Sequence, residues 1–235
     1  LSILDLVDDR PIPAIQNVPE WFKKLNPTEP KHTKIERTIK SCMPFLDSLT
    51  MGYILKTPQQ IVIDIEKKDN VFQGNIDYIH SGQDIEKYNL VKDTHWHNQA
   101  QVYGAPFLKK NYNLPIMKIL NPWKIITPKG YSTLFVPPLN NADDRFSIIP
   151  GIVDTDKHSV YVNFPSLLNA DKYPNGINTV IERGTPYVQL IPFKRDSWKM
   201  EVGPMAKKSE TGFLDFALSS YHYYKDKVWS KKTCK

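Results

Sequence analysis

Pro122-Trp-Lys-Ile-Ile-Thr-Pro-Lys-Gly130-Tyr-Ser-Thr-Leu-Phe-Val136, then Phe146-Ser-Ile-Ile-Pro-Gly-Ile-Val153, and finally Tyr187-Val-Gln-Leu-Ile-Pro-Phe193 decide the fold of this chain. Each is a short run of β-branched and aromatic residues cut by Pro or Gly, the pattern of a half-buried strand ending in a turn. With the stretches between them they predict strands over 123–127, 132–136, 146–153, 160–164, 179–181 and 187–193. Upstream, 115–120 adds another. Gly52-Tyr-Ile-Leu-Lys-Thr-Pro58 and Gln60-Ile-Val-Ile-Asp-Ile-Glu66 read as two strands joined at Thr57-Pro58-Gln59, followed by a third over 71–80. Many short strands at this spacing predict a mainly β fold, a sandwich or a barrel.

Around this core, spanning 51–200, the flanks differ in character. Within the N-terminal part, 1–50, residues 1–34 carry Pro11, Pro13, Pro19, Pro27 and Pro30, which leave room for helix only over 19–25; the segment reads as an N-terminal extended arm docked through Trp21 and Phe22. The apolar spacing over 38–49 gives a short helix broken at Pro44. The stretch 81–112 is polar and irregular and reads as a long loop. Residues 201–235 are expected to form a C-terminal helix, from the apolar series Phe213, Leu214, Phe216, Ala217, Leu218 and Tyr221, followed by a loose polar tail with Cys234. The three parts are expected to make one compact domain.

The 235 residues, 40% hydrophobic with 19 prolines, can bury one sizeable core joined by long connections. The 31 basic against 25 acidic side chains leave a net +6 spread along the chain, with local excess only in 194–208 and 225–235. Aromatic residues interleave with basic ones only at Tyr221, Tyr223, Tyr224 and Trp229, which argues against a nucleic-acid partner. Cys42 and Cys234 are too few for a disulfide framework. No run reaches the ~20 apolar residues of a membrane helix and no secretory pattern opens the chain, so no membrane role and a cytoplasmic or virion location are expected. A nucleophile elbow, a P-loop, Cys-x-x-Cys and a zinc-deaminase signature are all missing from the sequence.

Three pieces carry chemistry: Pro128-Lys129-Gly130, Gly151-Ile-Val-Asp154-Thr-Asp156, and Glu182-Arg183-Gly184-Thr-Pro-Tyr-Val-Gln189-Leu-Ile191. Their order and spacing resemble the dUTPase family, whose core is the β-clip shared with dCTP deaminases. The resemblance implies a catalytic carboxylate at Asp154 that orients water, and a ligand hydrogen bond from Gln189. It also implies phosphate neutralisation by Lys129, Arg145 or Arg183, a Mg2+ ion, and a homo-trimer with sites between subunits. The family's Arg-Ser phosphate loop falls over 135–140, where this chain has Phe-Val-Pro-Pro-Leu-Asn. A second resemblance spans more of the chain. It is to an uncharacterised family of marine phages and bacteria and rests on 122–135, 151–156, Val162-Asn-Phe-Pro165 and 184–195. That family implies no activity.

The leading expectation is therefore a non-catalytic binding or assembly protein in a homo-oligomer, built on a dUTPase-like β-clip. The alternative is a hydrolase of a nucleotide or phosphorylated small molecule, using Asp154 and Mg2+. A second alternative is a metal-dependent enzyme, since His95 and His97 flank Trp96 and alternate positions of a strand put both rings on one face; no third ligand is evident in the sequence, and His158 imitates a distant one only loosely.

Overall fold

The computed structural model describes residues 10–31, 34–79, 96–203 and 223–234. In chain order the elements are β1 (Ile12–Pro13), α1 (Glu20–Lys24), β2 (Thr28–Lys31), β3 (Lys34–Arg37), α2 (Met43–Thr50), β4 (Tyr53–Lys56), β5 (Gln60–Lys68), β6 (Val71–Ile79) and β7 (Trp96–His97). They continue with β8 (Ile116–Ile119), β9 (Tyr131–Val136), β10 (Phe146–Ile148), β11 (Gly151–Val153), β12 (Phe164–Leu168), β13 (Gly176–Ile181) and β14 (Pro186–Lys194). The fold is mainly β. Its strands form a five-stranded sheet ordered β1-β4-β14-β9-β11, a four-stranded sheet β10-β12-β8-β7, a three-stranded sheet β13-β5-β6, and the β2-β3 hairpin. The ladders are antiparallel and, among the described residues, the sheets stay open and close no barrel.

Local chemistry explains several of these elements. The β5-β6 hairpin turns on Asp69 and Asn70, both at positive φ (50° and 63°), the two-residue turn whose twist matches that of its strands. Along β5, Ile61, Ile63 and Ile65 are buried while Asp64 and Glu66 face solvent, the alternation that fixes register. Those isoleucines join Leu55, Phe135, Phe146, Ile148, Phe164, Tyr187 and Leu190 in one core supplied by all three large sheets. Phe164 contacts both Phe135 and Tyr187, with ring centroids 5.4 and 5.6 Å away in tilted and edge-to-face geometry, so the sheets meet through an aromatic cluster.

The N-terminal arm docks on its own chain. Ile12 pairs with Ile54 of β4, the Ala14 amide donates to the Gly52 carbonyl at 2.9 Å, and Phe22 is buried against Phe45 at 5.6 Å. Trp21 packs edge-on to Phe45 but stays half exposed. Pro44 lies in the first turn of α2, where its missing N–H costs nothing, so it starts that helix and does not break it. The tail is not loose: the Trp229 indole N–H donates to the Asp47 carboxylate at 3.0 Å, Lys232 Nζ reaches it at 2.6 Å, and the Gly52 amide donates to Cys234 Sγ at 3.3 Å. Both cysteines are free thiols. The C-terminal helix predicted from Phe213 to Tyr221 lies outside the described residues; 223–234 contain a single π-helical turn, Tyr224–Val228.

Three strand predictions need correction. Residues 123–127 join no ladder; at their start the Asn121 side chain takes the local hydrogen bonds, accepting from the Trp123 amide and donating to its carbonyl. The run 146–153 is two strands in two sheets, parted at Pro150, which has no N–H to give a ladder. The strand placed at 160–164 is displaced to Phe164–Leu168. Thr57-Pro58-Gln59 joins no hairpin either, but carries the chain from β4 in one sheet to β5 in another. Among the described residues no helix is long and apolar enough to cross a membrane.

Candidate functional site

Strand β14 ends at Lys194, opposite Tyr131, the first residue of β9; at the same end of the sheet β11 runs out into Asp154-Thr155-Asp156. Pairing brings the Pro128-Lys129-Gly130 turn, the acidic turn and Arg195 together. Asp154-Thr155-Asp156 is a turn, closed by the Lys157 and His158 amides donating to the Asp154 carbonyl at 2.9 Å. Thr155 is buried, and its hydroxyl bonds those of Thr127 (2.7 Å) and Thr133 (2.8 Å) under the turn.

Above that base, Arg195 is gripped from several sides. Its guanidinium forks onto Asp156, Nη1 to Oδ1 at 2.8 Å and Nη2 to Oδ2 at 2.5 Å. Nη1 also donates to the Tyr131 carbonyl (2.8 Å) and Ser132 Oγ (3.0 Å), and lies 3.1 Å from Asp154 Oδ1. The Gly130 amide donates to Asp156 Oδ2 at 2.8 Å, and the Arg195 amide to the Gly130 carbonyl at 2.8 Å. A planar fork on a carboxylate whose remaining lone pair takes a backbone N–H is the geometry that satisfies an enclosed ion pair. The Asp156 side chain is only 2% exposed, whereas that of Asp154 is 52% exposed.

These contacts set the proton affinities. The Arg195 fork, aided by the Gly130 amide, pulls the Asp156 carboxyl down to about 2. The Ser132 hydroxyl, donating to Asp154 Oδ1 at 2.7 Å, with Arg195 beside it, lowers Asp154 as well. A general base works best with a proton affinity matched to neutral pH. Asp154 is shifted the opposite way, toward a permanently charged, paired carboxylate.

The other residues singled out from sequence do not converge here. Lys129 is exposed on the turn next to the cluster. Arg145 lies elsewhere, forked onto Asp143 (2.9 and 2.7 Å) and donating to the Val180 carbonyl at 2.6 Å, so it ties the 140s loop to β13. Arg183 is exposed on the turn after β13, where Gly184 has φ +86°. Gln189 is six residues before Arg195 on an extended strand, about 20 Å away at ~3.4 Å per residue. It is buried and fully engaged, accepting from the Leu139 amide (2.8 Å) and donating to the carbonyls of Ser48 (2.9 Å) and Met51 (2.7 Å). Within one chain, Asp154 and Gln189 therefore share no cleft.

His95 lies outside the described residues. His97 Nδ1 is 2.9 Å from Gln101 Oε1, and His158 follows β11 in a different sheet from β7. Among the described residues no group of three or more His, Cys, Asp or Glu side chains is placed to hold a metal. The sequence reading quoted Asp156 and Arg195 within motifs but gave no role to them, to Ser132 or to the three threonines. The legible signal was Asp-Thr-Asp itself, two carboxylates two positions apart that call for a cation, with Arg195 as the first arginine after β14. Compared with known proteins, the chain matches no family model, no curated protein and no solved structure.

Proposed function

We propose that this chain is a non-catalytic binding or assembly protein that works as a homo-oligomer, on a core of the dUTPase-like β-clip kind, and that it is kin to the uncharacterised family of marine phages and bacteria. One observation carries the reading: three side chains that could serve a phosphate ligand are spent on internal bonds. Arg195 is held by Asp156 and Asp154, Arg145 by Asp143 and the Val180 carbonyl, and Gln189 by three backbone groups. A hydrolase needs such groups facing the ligand and free of competing partners. The β-clip assignment draws support from the order of the three motifs and from open antiparallel sheets around one core. The number of subunits is set at three by analogy alone, and a cytoplasmic or virion setting belongs to the same proposal.

The test is a thermal-shift series on the full chain with deoxynucleotides, ribonucleotides, Mg2+, Zn2+ and Mn2+, alongside the solution mass by light scattering. A ligand that binds only the folded state raises Tm by mass action, ~2.7 kcal/mol at a hundredfold excess over Kd. The expected result is no nucleotide-specific shift and a mass of several chains. A Mg2+-dependent shift for one deoxynucleotide, abolished by Asp154→Ala, would overturn the proposal in favour of the hydrolase; a stoichiometric shift with Zn2+ or Mn2+ would favour the histidine site.

A further inference from the structure

Beyond Arg195 the chain runs Asp196-Ser-Trp-Lys-Met-Glu-Val-Gly203, outside any helix or turn and without a ladder partner among the described residues. Apolar and charged side chains alternate along it. Trp198, Met200 and Val202 are 88, 86 and 90% exposed, while Lys199 and Glu201 pair with each other at 3.0 Å on the opposite side. Period-two alternation is the mark of a strand with one buried face. This segment has the pattern of such a strand, and neither the neighbour nor the burial.

The reason it does not pair at home lies in the sheet. The β14-β9 ladder ends at Lys194 opposite Tyr131, and β14 pairs with β4 only as far as Leu190 opposite Tyr53, so 196–203 run off the end of both ladders. Arg195 fixes that departure. Its amide is bonded to Gly130 and its side chain is clamped by Asp156, Asp154, Ser132 and the Tyr131 carbonyl. The most elaborate polar cluster described in the chain thus sits at the root of an arm that points away from its own sheet.

An edge suited to such an arm exists on the same molecule. β10 ends the four-stranded sheet and β11 ends the five-stranded sheet, and the two are consecutive through Ile149-Pro150, so 146–153 present two neighbouring open edges, neither with a second ladder partner among the described residues. Ile152 of β11 is 63% exposed. Beside β10 lies a largely apolar hollow of about 390 Å3, lined by Phe107, Phe146, Ile149, Pro150 and Leu167, with Lys110 among its polar groups. That volume is within the ~300–1,000 Å3 range of pockets that enclose a bulky ligand group. Strand addition at an open edge, with backbone bonds giving affinity and side-chain pockets giving selectivity, is a general mode of recognition.

We propose that 196–203 of one copy add as a strand to the 146–153 margin of a second copy, with Trp198 seated in the hollow beside β10. Reciprocal exchange closes a dimer, and head-to-tail exchange closes a ring. The proposal rests on the assembly reading above and names the surfaces that would carry it. Exposed side chains can be changed without disturbing the core, so Trp198→Ser/Met200→Ser and, separately, Ile152→Lys keep their fold, checked by circular dichroism. Sedimentation equilibrium of the full chain is expected to give a multimer for the wild type, and a dissociation constant raised at least tenfold for each variant. An unchanged oligomer in both variants would overturn the arm while leaving assembly standing. A single-chain mass for the wild type would overturn both.

Discussion

Replacing Gln189 with leucine, a side chain of similar volume, removes three hydrogen bonds at once. The Leu139 amide loses its acceptor, and the Ser48 and Met51 carbonyls at the end of α2 lose their donor. Such bonds contribute ~1 kcal/mol each, and a buried group left unpaired costs ~1–3 kcal/mol. The partners are only partly buried, so water replaces some of what is lost and the low end applies, about 3 kcal/mol in total. For a chain of this size about 2–4 °C of Tm accompanies each kcal/mol, giving a fall of roughly 6–12 °C. Urea unfolding followed by circular dichroism, with a thermal scan beside it, measures both quantities. Gln189→Glu is expected to fall further, because it keeps an acceptor but sets a carboxylate against two carbonyls. Stability of Gln189→Leu within about 0.5 kcal/mol of the wild type, the scatter of ordinary surface changes, would refute the internal role and return Gln189 to the ligand-binding candidates.

Other outcomes follow from the same geometry. The Asp156 carboxyl is lowered from 3.8 to about 2, so its stabilising effect is present above the unfolded value and is lost as pH falls through that window; Asp156→Asn should lower Tm at pH 7 and flatten its acid dependence between about pH 4 and 2, read by thermal scans. Burial pushes the Tyr112 phenol up to about 12 and raises Tyr78 and Tyr187 further still, so the folded state resists their ionisation. Stability should hold below pH 10 and fall above it, with tyrosinate absorbance appearing together with unfolding; ionisation of all tyrosines near pH 10 in the folded protein would contradict the burial. Gly52 has φ +75°, and an added Cβ would lie 2.0 Å from the Leu190 carbonyl oxygen, so Gly52→Ala should cost at least ~1–3 kcal/mol in denaturant unfolding. An unstrained Gly52→Ala would mean that the close crossing onto β14 does not exist.

The alternation of Ile61, Ile63 and Ile65 against Asp64 and Glu66, and the proline-cut runs after them, determined a mainly β chain and placed β4, β5, β6, β8, β9, β13 and β14 to within a few residues. That information is local: a period of two and a turn residue are fully present in neighbouring positions. The partner of each strand is not local. Only packing around Phe135, Phe164 and Tyr187 decided that Thr57-Pro58-Gln59 crosses between sheets and that Pro150 splits one apolar run into the margins of two. The candidate residues divide in the same way. The sequence marked Asp154 and Gln189 as polar groups among apolar strands, but a carboxylate is a site or a structural partner according to what stands within about 3 Å of it. For Asp154 that is Ser132 and Arg195, 22 and 41 positions away along the chain, joined by the register of β9, β11 and β14.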